Sequence, residues 1–253
     1  MGAEFTKAQV LAMERAAARA WPSVDAVEIE GWIWRSSGGG SRRANSVLPL
    51  AFTGQDPAAA IERIEALYQA QGLRTYFQVS SIAAPADLDD QLARRGYTYE
   101  EPVLLLAKAL PKAAPAAVSA AVDVTAEPSQ DWLAIYSSTV DAVRQAAVPA
   151  TLMRVPEKKA FLVVRREGQP LATALCVVSP DGVAIVECVA TEPSRRRTGA
   201  AREVMDALET WAAKQGATAV ALQVVETNTP ARALYEARGY RPAGRYHYRW
   251  RDI

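Results

Sequence analysis

Hydrophobic residues change their period along the second half of the chain. In AFLVVRREGQPLATALCVVSPDGVAIVECVAT three apolar runs are parted by Glu167-Gly168-Gln169-Pro170 and Ser179-Pro180-Asp181-Gly182. Both separators are made of turn formers, which predicts an antiparallel three-stranded meander. Ala200, Val204, Leu208, Trp211 and Ala212 then recur at three- and four-residue steps, the spacing of an amphipathic helix packed on a sheet and closed by Gly216. ATAVALQVV supplies the next strand.

A second pattern spans the whole chain. The block from Ala60 and the block from Val204 each read as a helix ending in Gln-Gly, a strand carrying Gln-Val, a helix ending in Arg-Gly-Tyr and a final strand. Gln71-Gly72 answers Gln215-Gly216, Gln78-Val79 answers Gln223-Val224, and Arg95-Gly96-Tyr97 answers Arg238-Gly239-Tyr240. Tandem duplication explains this register; the alternative is two unrelated α/β segments that both end helices on glycine. Pro111 to Val122 is proline- and alanine-rich without amphipathic period and reads as a linker, giving domains at 1–110 and 123–253 around a linker at 111–122.

Composition narrows the chemistry. The 253 residues carry 29 Lys plus Arg against 28 Asp plus Glu, a net charge of +1, which speaks against general nucleic-acid or membrane-surface binding. No apolar run approaches the ~18–20 residues of a membrane span and no signal-peptide core opens the chain, so a soluble cytoplasmic protein is expected. His247 is the single histidine, and Cys176 and Cys188, the only cysteines, form no C-x-x-C, so no metal site is expected.

The candidate chemistry lies in ATEPSRRRTGAAREVM. A strand running into a helix leaves the helix's first N–H groups unpaired, and the helix dipole favours an anion there. Gly199, Ala200 and Ala201 keep side chains clear; Arg195, Arg196 and Arg197 add charge, and Thr198 adds a hydroxyl. These make a pyrophosphate cradle that is neither a Walker loop nor a dinucleotide fingerprint; the other reading is a basic, exposed helix start with small residues chosen for packing.

Arg196-Arg197-Thr198-Gly199-Ala200-Ala201 resembles the Arg/Gln-x-x-Gly-x-Gly/Ala motif of the GNAT acyltransferase superfamily, and NTPARALYEARGY resembles that family's second signature. The likeness covers roughly Ala120 to Ile253; the first half lacks a cradle and is similar to a degenerate copy in a tandem GNAT arrangement. The resemblance implies an α/β (α+β) fold of two GNAT-like domains, each a mixed, largely antiparallel sheet flanked by helices. It also implies acetyl-CoA as co-substrate, without a metal, and transfer of its acetyl group to a small-molecule or peptide amine, in a monomer or homodimer. Residue by residue, the backbone at Arg197, Thr198, Gly199, Ala200 and Ala201 would hold the pyrophosphate, Arg196 would fill the motif's first position at the coenzyme site, strand-end residues Val189 and Thr191 would pair with the pantetheine amides, and Asn228 would contact the coenzyme.

Tyr235 would protonate the departing thiolate, or else pack helix to sheet. Glu187 would take a proton from the amine through water, or else pair with an arginine. A non-catalytic acyl-CoA binding or sensing module is the alternative function. His247 shares its strand face with Arg249 opposite Tyr246, Tyr248 and Trp250, where it shapes specificity or only structure. Cys176 and Cys188 fall on adjacent strands and are expected reduced. RSSGGGSRRANSVLPL reads as a solvated hairpin loop, or as one whose Arg42 and Arg43 reach an acidic acceptor; Trp21, Trp32 and Trp34 belong to a core or to the seam between halves.

Overall fold

A computed structural model describes residues 5–111 and 119–252 of the chain, so most of the expected linker lies outside the described residues. The first half runs α1 (Lys7–Ala20), β1 (Asp25–Ile29), β2 (Trp32–Ser36), α2 (Pro57–Gln69), β3 (Thr75–Ser80), α3 (Leu88–Arg94) and β4 (Thr98–Ala109). The second runs β5 (Val122–Thr125), α4 (Gln130–Ser137), α5 (Ala142–Leu152), β6 (Lys159–Arg166), β7 (Gln169–Val178), β8 (Val183–Thr191), α6 (Ala200–Lys214), β9 (Ala219–Val225), α7 (Thr229–Ala237) and β10 (Arg241–Arg251). Local chemistry sets the helix starts: Thr6 and Gln9 form a capping box on α1, Asp56 caps α2 ahead of Pro57, and Asn228 caps α7. The meander β6-β7-β8 is antiparallel as its turns predict, with Glu167 and Gly168 both at positive φ in the first.

The two similar blocks fold alike, α2-β3-α3-β4 and α6-β9-α7-β10. They do not, however, build a sheet each. Eight strands form one mixed, largely antiparallel sheet in the order β3-β10-β4-β9-β8-β7-β6-β5, with β1 and β2 a separate hairpin. β10 lies between β3 and β4, pairing Tyr246 with Ser80 on one side and Val103 on the other, while β4 pairs Val103 with Val225 of β9. The last strand of each block thus sits beside the first strand of the other. At 12 and 11 residues β4 and β10 are long enough to span both neighbours, so backbone hydrogen bonds knit the halves together.

Both sheet faces are covered. On one, Val10, Met13 and Ala17 of α1, Trp21 just after it, and Trp132 and Ile135 of α4 pack with Leu105, Leu175, Val177 and Ile185. On the other, Val204 and Leu208 of α6 pack with Leu162, Val164, Ala174 and Val220. Trp32 and Trp34 join Ile61, Ile64 and Phe77 in a smaller core of the first half, leaving Trp21 at the seam. Each fully buried large apolar side chain contributes about 1.5–3 kcal/mol, so both faces are substantial. Cys176 and Cys188 are free and buried, yet on opposite faces: Cys176 pairs with Val186, and an irregularity in β8 just beyond that pair turns Cys188, at φ 54°, to the other side. No helix among the described residues is long and apolar enough to cross a membrane.

Candidate functional site

The site is built where β8 and β9 part. Their parallel pairing runs only from Val183↔Ala219 to Val186↔Leu222, although β8 continues to Thr191 and β9 to Val225. A bulge coincides with the parting: Thr173 faces Ala190 and Leu175 faces Glu187, so Cys188 and Val189 stand against the single residue between, with Cys188 at φ 54°. Beyond Val186 the β9-facing edge of β8, including Val189 and Thr191, has no strand partner among the described residues. Its backbone groups there are open to the amides of a ligand.

β8 leads into a 3₁₀ turn, Pro193–Arg195, and then into the mouth of α6. Gly199 takes φ 86° as the N-cap, a left-handed conformation that a side chain would strain, and a Cβ there would meet only Arg166 Nη2 at 3.9 Å. Ala200 is buried and Ala201 half-buried, while Arg196, Arg197 and Thr198 are exposed. The mouth is therefore open, basic and free of bulk. Thr198 differs from expectation in one respect: its hydroxyl donates to the Arg195 carbonyl at 2.8 Å, so it shapes the loop. Arg166 at the end of β6 adds a cation that the linear pattern gave no sign of, donating to the Thr198 carbonyl at 2.9 Å and pairing with Glu203 at 3.2 Å. A nearby groove of about 360 Å³ is lined in part by Asp131 and Glu192 together with Arg195.

α7 supplies the next residues. Asn228 accepts from Ala231 N–H at 3.3 Å through its side-chain oxygen, which leaves its amide NH₂ facing outward at an exposed helix start. Tyr235 is buried between α7 and the sheet, its ring 5.8 Å from that of Tyr240. Burial, with the Glu187 charge adding to it, pushes its phenol up to about 12. The group is thus a full proton donor at neutral pH.

Glu187 and Gln223 are the first residues past the last β8–β9 pair, and both meet Arg43 from the first half. Arg43 holds Glu187 bidentately, Nη1 to Oε1 and Nη2 to Oε2 at 2.5 Å each, and Nη1 also donates to Gln223 Oε1 at 3.1 Å. The carboxylate is buried at 5% exposure, so of the two readings for Glu187 this geometry displays the arginine pair. Burial alone lowers the Arg43 pKa, but Glu187 outweighs it and the net shift is upward.

The glycine-rich segment is what aims Arg43. Asn45 accepts from the Ser37 and Gly39 N–H groups at 2.7 and 3.2 Å and donates to the Gly39 and Ser41 carbonyls at 2.7 and 2.8 Å. Gly40, at φ 85°, passes so close to α5 that a Cβ would lie 2.6 Å from Ala147 Cβ. The segment is pinned rather than loose, and it ends in the 3₁₀ turn Arg42–Ala44. Arg42 pairs with Glu100 at 2.6 Å and stacks over Tyr248. His247 points to the far face, where its Nε2 lies 2.7 Å from Asp89 Oδ1, beside the Arg249–Asp89 pair, and its ring stacks 4.5 Å from Tyr99. Among the described residues no group of three or more His, Cys, Asp or Glu side chains is placed to hold a metal ion.

The family model described as "Probable histone acetyltransferase Rv0428c C-terminal" matches residues 7–249. YobR of Bacillus subtilis, named an uncharacterized N-acetyltransferase, is 30% identical over 94% of this chain and 96% of its own. The probable histone acetyltransferase Rv0428c of Mycobacterium tuberculosis is 27% identical over 92% of this chain and 71% of its own. In fold, a GCN5-related N-acetyltransferase from Kribbella flavida superposes with a TM-score of 0.67 at 21% identity, covering 94% of each chain. A tandem GNAT protein from the clavulanic acid biosynthesis pathway superposes at 0.65 and 12% identity, over 98% of this chain and 94% of its own.

Proposed function

The chain belongs to the family of the Rv0428c C-terminal region, within the GNAT superfamily of acyltransferases, and from that membership we propose an acetyl-CoA-dependent N-acetyltransferase that passes the acetyl group to an amine. The acceptor nitrogen attacks the thioester directly. The observation that supports this most is the union of an open, basic helix mouth at Gly199 with the parting of β8 and β9 and a buried, protonated phenol at Tyr235.

In this reading residues 123–253 hold the co-substrate. The pyrophosphate meets the α6 N–H groups of Gly199, Ala200 and Ala201 and the charge of Arg196 and Arg197, with Thr198 fixing the loop. The unpaired edge of β8 at Val189 and Thr191 serves the pantetheine amides, and the Asn228 side-chain NH₂ is available to the coenzyme. Tyr235 hands its proton to the sulfur as the C–S bond breaks. Residues 1–110 close the acceptor side, since Arg43 reaches the apex where β8 and β9 part.

The sensor reading draws support from the same ion pair, because both Glu187 oxygens are occupied. The two readings separate on thiol release. With acetyl-CoA and a panel of small and peptide amines, the enzyme frees CoA only when an acceptor is added; a sensor binds acetyl-CoA and turns over with none.

A further inference from the structure

With Glu187 engaged by Arg43, the cleft needs another proton acceptor, and one stands on the same sheet face. Glu14 lies on the apolar stripe of α1, four residues after Val10 and three before Ala17, and is only 1% exposed. Its Oε2 accepts from Gln78 Nε2 of β3 at 3.3 Å; its Oε1 is buried with no hydrogen-bond donor among the described residues. Gln78 is fixed in turn by Arg35 Nη2 at 3.0 Å, and Arg35 also donates to the Ser46 carbonyl and hydroxyl. The surrounding groups are Arg35 from β2, Arg43 with its partner Glu187, and Tyr246 and Tyr248 from β10, whose phenols burial keeps protonated. Tyr246 donates to Gln223 at 3.2 Å, the residue that also receives Arg43, so this cluster is continuous with the apex of the cleft.

An ionised Glu14 balances Arg35, Arg43 and Glu187, two guanidiniums against two carboxylates, and a protonated one leaves a single excess positive charge among these four. Burial pushes the carboxyl up to about 7, against the pull of Arg35 and Arg43. A base working at neutral pH is best poised near that value. The orphaned oxygen is a site for a donor, and an arriving ammonium is a donor that also carries the proton to be removed.

We propose that Glu14, from the first half, is the general base for the acceptor amine bound against Arg43, Tyr246 and Tyr248; this rests on the acyl-transfer reading above. The ammonium N–H bond breaks and its proton goes to Glu14 Oε1. The nitrogen lone pair forms the bond to the acyl carbon, the C–S bond breaks with its electron pair on sulfur, and sulfur takes the Tyr235 proton. The second proton leaving nitrogen restores the phenol, and Glu14 returns the first to solvent. The first half is then part of the catalytic apparatus, not a spent copy.

The test compares wild type, Glu14→Gln and Glu14→Asp with acetyl-CoA and the best amine of the panel, following kcat/KM against pH, acetyl-CoA affinity by calorimetry and the Glu carboxyl carbons by NMR. Wild type loses rate with a slope of one below pH about 7, and a carboxyl that Glu14→Asp removes from the spectrum titrates there. Glu14→Gln lowers kcat by a factor of about 10² or more and erases that limb, with acetyl-CoA affinity within about twofold of wild type. Glu14→Asp keeps the limb at reduced rate, which a purely structural carboxylate would not explain. Glu14→Gln at wild-type rate with its limb intact overturns the proposal while leaving acyl transfer standing. A carboxyl titrating in the ordinary range overturns it in wild type alone, even if Glu14→Gln does not fold. Absence of amine-dependent thiol release overturns the acyl-transfer reading, and this proposal with it.

Discussion

At the scale of single residues, Glu14 and Tyr235 are both held protonated to higher pH by burial, and their substitutions separate proton chemistry from packing. Glu14 prefers a proton in the folded state up to about 7, against a usual 4.5. Between those values the folded chain binds more protons than the unfolded one, so stability is full below about pH 4.5 and falls as pH rises to about 7. The loss is on the order of 3 kcal/mol. Glu14→Gln should remove that fall, so its melting temperature relative to wild type rises from pH 5 to pH 8 even as turnover drops. A variant that steadies the protein while disabling it is the mark of a residue kept for function. A wild-type melting curve that does not weaken across this range would contradict the burial argument. Tyr235→Phe keeps the ring that packs on Tyr240 and deletes only the proton donor. Turnover should fall by a factor of about 10² while calorimetry finds acetyl-CoA binding within about twofold; unchanged turnover would remove Tyr235 as the acid.

At the scale of elements, the sequence was most readable where one period held for a whole segment. The α6 stripe of Ala200, Val204, Leu208 and Ala212 and the turns around Gly168 and Gly182 are local signals, and both found their elements. The motif at Gly199 was legible for the same reason, since a tight strand-to-helix passage needs small residues in consecutive positions. The insertion of β10 between β3 and β4 was not, because alternation in a strand fixes its faces but not its neighbours. Arg43 and Glu187 lie 144 positions apart, and no local pattern joins them. Glu14 did leave a trace, a lone acid on an otherwise apolar helix stripe. The segment before Arg43 offers a test at this scale. Gly40→Ala would drive a Cβ into Ala147 on α5 at a left-handed φ, at a cost of about 1–3 kcal/mol. Because that segment aims Arg43, kcat should fall with acetyl-CoA affinity preserved; equal kcat would show that Arg43 does not depend on its placement.

At the scale of the whole molecule, the interleaved sheet decides what can be separated. β10 draws its edge partners on both sides, β3 and β4, from the first half, and β9 draws one of its two from there. A second half produced alone would expose β10 and one edge of β9, so residues 119–253 by themselves should melt without a cooperative transition or associate through those strands. A cooperatively melting, monomeric fragment would show that the halves are independent domains. The proposed coenzyme site, by contrast, draws on the second half alone. The most direct test is calorimetric titration of acetyl-CoA into wild type and Gly199→Glu, which sets a negative side chain in the mouth of α6 at a backbone cost of about 1–2 kcal/mol. The account predicts one-to-one binding by wild type and none by a folded Gly199→Glu. Equal binding by both, or by neither, would contradict it.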